Sequence, residues 1–327
     1  MLKYLQIILL SILVLSCETN PPTNWIEDDK FGKVFISSSV NAEILVDGEA
    51  TGIITPDTLG LLIGQYNISL QKDGYFSTSE EIEVQENSYQ EVTITLTELG
   101  TQKIVLIEDF SNVSCGPCVT SNNILRSLKA SYTNEKLVIV KFAANFPSPQ
   151  DPMYLANKED ADARLSYYNI FSTPTIIVDG INRTVATDSM SIKSKIDASL
   201  LNIPKFSIEV EDSISGQTMF VKGKVKLLDN TGIDFNNLVL HTVIIESKIE
   251  YSSPPGSNGE TEFDDVMRKM LPNNAGFSIS NIETEGEIIF SFESTMNSAW
   301  NKDRLEIIIY VQHTNSKEVY QTNSTIQ

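Results

Sequence analysis

The run KIVLIEDF, residues 103–110, is followed after four residues by Cys115-Gly116-Pro117-Cys118 and then by apolar residues at helical spacing. A near-continuous apolar run suits a strand buried on both faces. Ile124, Leu125, Leu128 and Tyr132 fall on one face of a helix, which predicts a strand-to-helix junction at the cysteines. The strand KLVIVKFAANF, a helical stretch over 154–168 and the strand TPTIIVDG follow. This alternation predicts an α/β layer fold over residues 100–202.

On either side the apolar period changes to two. Over 32–99, Ala42, Ile44 and Val46 alternate with polar or outward positions, Asp47-Gly48 supplies a hairpin turn, and Tyr66, Ile68 and Leu70 repeat the pattern. Over 203–327, Val221, Gly223, Val225 and Leu227 alternate with Lys222, Lys224 and Lys226, and NLVLHTVIIES, GEIIFSFES and RLEIIIYVQHT add strands. The expected fold class is therefore multidomain, an α/β domain set between a small N-terminal β-sandwich and a C-terminal β-sandwich of immunoglobulin-like type. Residues 249–281 interrupt the last rhythm and read as a polar insertion with a short helix in DDVMRKML, a candidate contact segment.

The first 17 residues place Lys3 before an apolar run over 7–15 and end on Ser16-Cys17. That run is shorter than the ~20 residues a spanning helix needs, so it reads as the core of an export signal. A cysteine directly after a small residue at the end of such a run resembles the lipobox of bacterial lipoproteins, which implies lipidation at Cys17; cleavage of an ordinary secretory peptide nearby is the alternative. Residues 18–31, with two prolines and an acidic cluster, read as a tether.

The chain has three cysteines. If Cys17 carries a lipid, Cys115 and Cys118 are the only thiols left. A staple closing so short a loop removes little unfolded-state entropy, which argues against a purely structural bond. Zinc would need a second ligand pair; the two histidines, His241 and His313, lie in distant strands, so no metal is expected. A formal net charge of −19 excludes nucleic acid as a partner.

At a helix N-terminus, unpaired N–H groups and the macrodipole stabilise a thiolate. Cys115 is thus the expected attacking thiol and Cys118, one turn deeper, the resolving thiol.

Three resemblances extend these readings. The set Asp47-Gly48, Gly52, Thr55-Pro56, Gly64-Gln65-Tyr66 and Gly74-Tyr75 resembles the PEGA domain, which implies a spacer module or a cell-wall or glycan contact. Cys-Gly-Pro-Cys within the α/β pattern resembles thioredoxin. That resemblance implies that Asp109 is a buried carboxylate taking the Cys118 proton, that Lys141 partners it, and that Pro174 is a cis proline whose neighbour Thr173 pairs with substrate backbone. The usual tryptophan before the first cysteine is Ser114 here. The export signal, the α/β core with an insertion over 144–163 and the β-rich C-terminal region resemble Omp28-related outer-membrane lipoproteins, which implies an outer-membrane location and a lipid anchor.

Two functions remain open at this point. One is a cofactor-free thiol–disulfide oxidoreductase acting on thiols and disulfides of exported proteins. The other is a non-enzymatic surface, adhesion or binding protein that uses the α/β domain as a scaffold.

Overall fold

The computed structural model describes residues 30–72, 75–76, 78–98 and 102–326. The expected signal peptide, Cys17 and nearly all of the tether lie outside these residues. The chain is β-rich and divides into two compact units, one of residues 30–72 and 78–96, the other of 75–76 and 97 onward.

In the first unit, β1 (Phe31–Ser37) lies between β4 (Asp57–Leu62), antiparallel, and β8 (Tyr89–Thr93), parallel. A second sheet has the order β3 (Glu49–Ile54), β2 (Glu43–Val46), β5 (Gly64–Gln71), β7 (Thr78–Val84). Asp47 and Gly48 both take positive φ in the β2–β3 hairpin, the backbone that two-residue turns with the right twist demand. Val34, Ile36, Ile44, Ile68 and Leu70 are buried, as their alternation requires.

The second unit begins with the short pair β6 (Tyr75–Phe76) and β9 (Thr97–Glu98). Its main body is one nine-stranded sheet. β10 (Val105–Ser111) runs parallel to β11 (Leu137–Ala143) and antiparallel to β12 (Thr175–Val178), which pairs β13 (Asn182–Thr184). Val105, Ile107, Leu137 and Ile139 face α1 (Gly116–Tyr132) and α4 (Ser189–Leu200). On the other face, Leu106, Phe110, Val138 and Phe142 pack with Met153 of α2 (Pro152–Ala156) and Leu165 of α3 (Lys158–Tyr168). The helical stretch expected over 154–168 is broken at Asn157, whose side chain caps α3.

The expected boundary at residue 202 does not separate two sheets. Two strands of a smaller sheet, β14 (Phe206–Ser215) and β15 (Thr218–Leu227), come first, and the chain then re-enters the main sheet with β16 (Leu238–Glu250). β17 (Glu262–Leu271) pairs parallel with β11 at Lys141↔Val266, and β16 joins β17, with β18 (Phe277–Ser278) beside it. After α5 (Ile282–Glu285), β19 (Glu287–Thr295) completes the smaller sheet, and β20 (Leu305–His313) and β21 (Val319–Ser324) complete the larger one. An independent immunoglobulin-like sandwich over 203–327 is therefore not what forms: the smaller sheet covers only one face of the far end of the main sheet. Leu240, Ile244, Ile307 and Ile309 bury against that small sheet, while Val243, Ile245, Ile308 and Tyr310 bury against the α/β core. These strands are apolar on both faces, which their near-continuous apolar sequences fit better than a half-exposed sandwich strand.

DDVMRKML, expected as a short helix within a polar insertion, lies in β17. A bulge opposite Ile244 and Ile245 breaks its two-residue period, which disguised it as irregular.

A buried polar network also joins the two halves of this unit. Arg164 donates to Glu108 and to Gln312 of β20, and Tyr168 donates to the same glutamate. Removing one partner of such a buried pair typically costs about 3–5 kcal/mol.

Candidate functional site

The site forms where β10 ends and α1 begins. Cys115 is the N-cap of α1, Pro117 sits in the first turn where a missing N–H costs nothing, and Cys115 and Cys118 are joined by a disulfide. The preceding turn is tightly held. Cys115 N donates to Asn112 O at 3.0 Å, Ser114 N to Asn112 Oδ1 at 2.8 Å, and Asn112 Nδ2 to Ala144 O and Ser148 O. Val113 N donates to Asp151 Oδ2 at 2.9 Å, while Asp151 Oδ1 caps α2 through Met153 N. Burial pushes the Asp151 carboxyl above its ordinary range, against the opposing effect of these N–H donors and Lys141.

Asp109 and Lys141 are register partners on β10 and β11 and share the parity of the residues facing α1. Both are buried and they form an ion pair; Asp109 Oδ1 has no hydrogen-bond partner. Lys141 also donates to Asn122 Oδ1 at 2.6 Å. Asn122 lies four residues after Cys118, so both buried side chains occupy one helix face. Beneath α1 a cavity of about 320 Å³ reaches Asn122 and Lys141 and is bordered by the pairs Arg126–Asp264 and Lys129–Asp265, which fasten the helix to β17. Burial raises the Asp265 carboxyl, and Lys129 opposes that rise.

Thr173-Pro174 is a cis peptide immediately before β12, and Thr175 pairs with Phe110, so Thr173 and Pro174 lie at the sheet end where the cysteine turn begins. Thr173 Oγ1 donates to Phe146 O at 3.5 Å. The structure thus brings Cys115, Cys118, Asp109, Lys141, Thr173 and Pro174 to one end of one sheet.

Two features depart from expectation. Cys115, the expected attacking thiol, keeps only 3% of its surface. The loop between β16 and β17 packs against the turn before it: Asn258 N donates to Val113 O at 3.1 Å, Ser257 N to Ser114 Oγ at 3.3 Å, and Gly256 sits so close that a Cβ there would meet Val113 O at 2.3 Å. The second is a set of side chains that sequence reasoning missed: Asn122, Asp151 and Glu260. Asn122 was findable from its i,i+4 spacing to Cys118; Glu260, 138 residues from its partner Asn122, carried no signal.

The histidines stand elsewhere, His241 against Tyr310 and His313 beside Asp234. Among the described residues no group of three or more His, Cys, Asp or Glu side chains is arranged to hold a metal ion, and no helix is long and apolar enough to cross a membrane.

Residues 31–99 match the model of the PEGA domain. A sequence comparison with curated proteins finds no match. Among solved structures, the chain is similar to HBP35 of Porphyromonas gingivalis, at 13% identity and a TM-score of 0.59, covering 68% of this chain and 74% of that one. A protein from Agrobacterium tumefaciens aligns at 11% identity and a TM-score of 0.45, over 68% of this chain and 96% of that one. A domain of the outer membrane lipoprotein Omp28 from Porphyromonas gingivalis aligns at 15% identity and a TM-score of 0.27, over 38% of this chain and 88% of that domain. The similarity to HBP35 is one of fold, and the match to a family model by sequence is that of residues 31–99 to the PEGA domain.

Proposed function

We propose that the chain is a thiol–disulfide oxidoreductase of the cell envelope, with a thioredoxin-like α/β core, anchored by lipid at Cys17 and acting on cysteines of exported proteins. The observation that carries this reading is the Cys115–Cys118 pair at the start of α1 above the buried Asp109–Lys141 pair. In the reduced form, the N-terminus of α1 stabilises a thiolate at Cys115. That thiolate attacks one sulfur of a substrate disulfide, a Cys115–substrate bond forms, and the other substrate sulfur leaves. Cys118 then attacks Cys115: the Cys115–Cys118 bond forms, the substrate departs as a thiolate, and the Cys118 proton passes to Asp109. The substrate gains two electrons and the pair loses two, which a dithiol donor restores. Thr173 offers backbone to the bound chain beside Pro174. The PEGA domain is a spacer, or a contact to cell wall or glycan.

A second reading has its own support in the burial of Cys115: a surface or binding protein in which the disulfide stays oxidised and the α/β region is a scaffold. Cys118→Ser separates the two. An oxidoreductase with that change accumulates exported proteins as mixed disulfides on Cys115, released by reductant; a scaffold accumulates none.

A further inference from the structure

Asn122 stands between a cation and an anion. Its Oδ1 accepts from Lys141 at 2.6 Å, while its Nδ2 donates to both oxygens of Glu260 at 2.9 Å. An amide has one accepting and one donating end, so opposite charges on its two sides fix its orientation. Turned over, it would aim N–H groups at an ammonium and an oxygen at a carboxylate. Glu260 is itself held in place, since Asn258 Nδ2 donates to it at 2.7 Å and Glu260 N donates back to Asn258 Oδ1 at 3.0 Å. The loop between β16 and β17 therefore touches the cysteine turn at Val113 and, through Glu260, the polar chain beneath it.

We infer that Glu260 is a positioning residue for the Asp109–Lys141 pair, acting through Asn122 to hold the Lys141 ammonium under the helix face that carries Cys118. The inference rests on the oxidoreductase reading and gives the C-terminal half of the chain a part in that chemistry. In the resolving step, Asp109 must change from carboxylate to acid as Cys118 gives up its proton. Lys141 shares its donors between Asp109 and Asn122, so a fixed Asn122 keeps the ammonium from following Asp109 alone. Without Glu260 the amide is free to turn, Lys141 loses one acceptor, and its full hold falls on the carboxylate that has to accept the proton.

The test uses the full chain, reduced and mixed with glutathione disulfide, with formation and resolution of the Cys115–glutathione bond followed separately. Glu260→Ala lengthens the life of the mixed disulfide by about tenfold, the equivalent of one hydrogen bond in a charged network, and leaves the attack by Cys115 within about twofold. Glu260→Gln, which still accepts from Asn122, restores resolution. Ser257→Ala, which removes the bond from Ser257 Oγ to Ser114 O in the same loop but keeps Glu260, resolves as the wild type does. Equal lifetimes in wild type and Glu260→Ala, or a slowing that Glu260→Gln does not rescue, overturn the positioning role and leave the oxidoreductase reading standing. A wild-type chain whose reduced Cys115 never attacks the probe overturns both.

Discussion

Asp109 and Lys141 face each other across β10 and β11 as an ion pair sealed beneath α1, with one carboxylate oxygen left without a partner. Desolvating both charges is costly, and the Coulombic gain only offsets it while both are present. Lys141→Met is therefore expected to cost about 3–5 kcal/mol in urea unfolding of the oxidised protein, and Asp109→Leu combined with Lys141→Met to recover much of that. A loss below ~1 kcal/mol in the single variant would mean that the pair is solvated.

His241 gives the fold an acid-side weakness. Burial, reinforced by the Arg164 guanidinium, holds its imidazole well below the ordinary range, and Nδ1 has no hydrogen-bond partner against Tyr310. The folded protein carries this side chain neutral, whereas the unfolded chain binds a proton as the pH falls through about 6.5. Its effect is absent above that pH and grows by up to ~1.4 kcal/mol of lost stability per unit below it. Unfolding midpoints at pH 7.5, 6.5 and 5.5 should fall less steeply in His241→Leu than in the wild type; parallel slopes contradict the assignment.

Asp151 joins the cysteine turn to α2 by accepting from Val113 and Met153. Asp151→Ala removes a helix cap and leaves a buried N–H unpaired, for an expected loss of about 2–4 kcal/mol. Asp151→Asn keeps an acceptor oxygen and should cost about half as much. Thermal unfolding of the three proteins at pH 7 measures the difference.

Gly256 allows the loop to lie against Val113, and a larger residue there must push it away. Gly256→Val is expected to speed reduction of the Cys115–Cys118 bond by dithiothreitol about tenfold, because access limits thiol–disulfide exchange at a covered sulfur. An unchanged rate would show that this loop does not shield the bond.

Much of this arrangement is legible in sequence because it is local. KIVLIEDF, the cysteine pair and the helix after it form one strand-to-helix junction, whereas the pairing of Asp109 with Lys141, on neighbouring parallel strands, follows only from the resemblance to thioredoxin. Asp47-Gly48 likewise announces its hairpin. What sequence hides is non-local or irregular. β17 lost its period to a bulge, and its pairing with β11 links Lys141 to Val266 across more than a hundred residues. Glu260 reaches Asn122 by the same long return of the chain. The strands of 238–250 and 305–313 carry near-continuous apolar runs, yet the plain alternation of 221–227 draws the whole region into one sandwich reading.

Thiol-dependent reduction of insulin disulfides by the full chain, with Cys115→Ser as reference, decides between oxidoreductase and scaffold. An oxidoreductase turns insulin over as the wild type and not at all as Cys115→Ser. Equal background rates in the two proteins, with the wild-type disulfide fully reduced beforehand, would contradict the oxidoreductase reading and leave the scaffold reading.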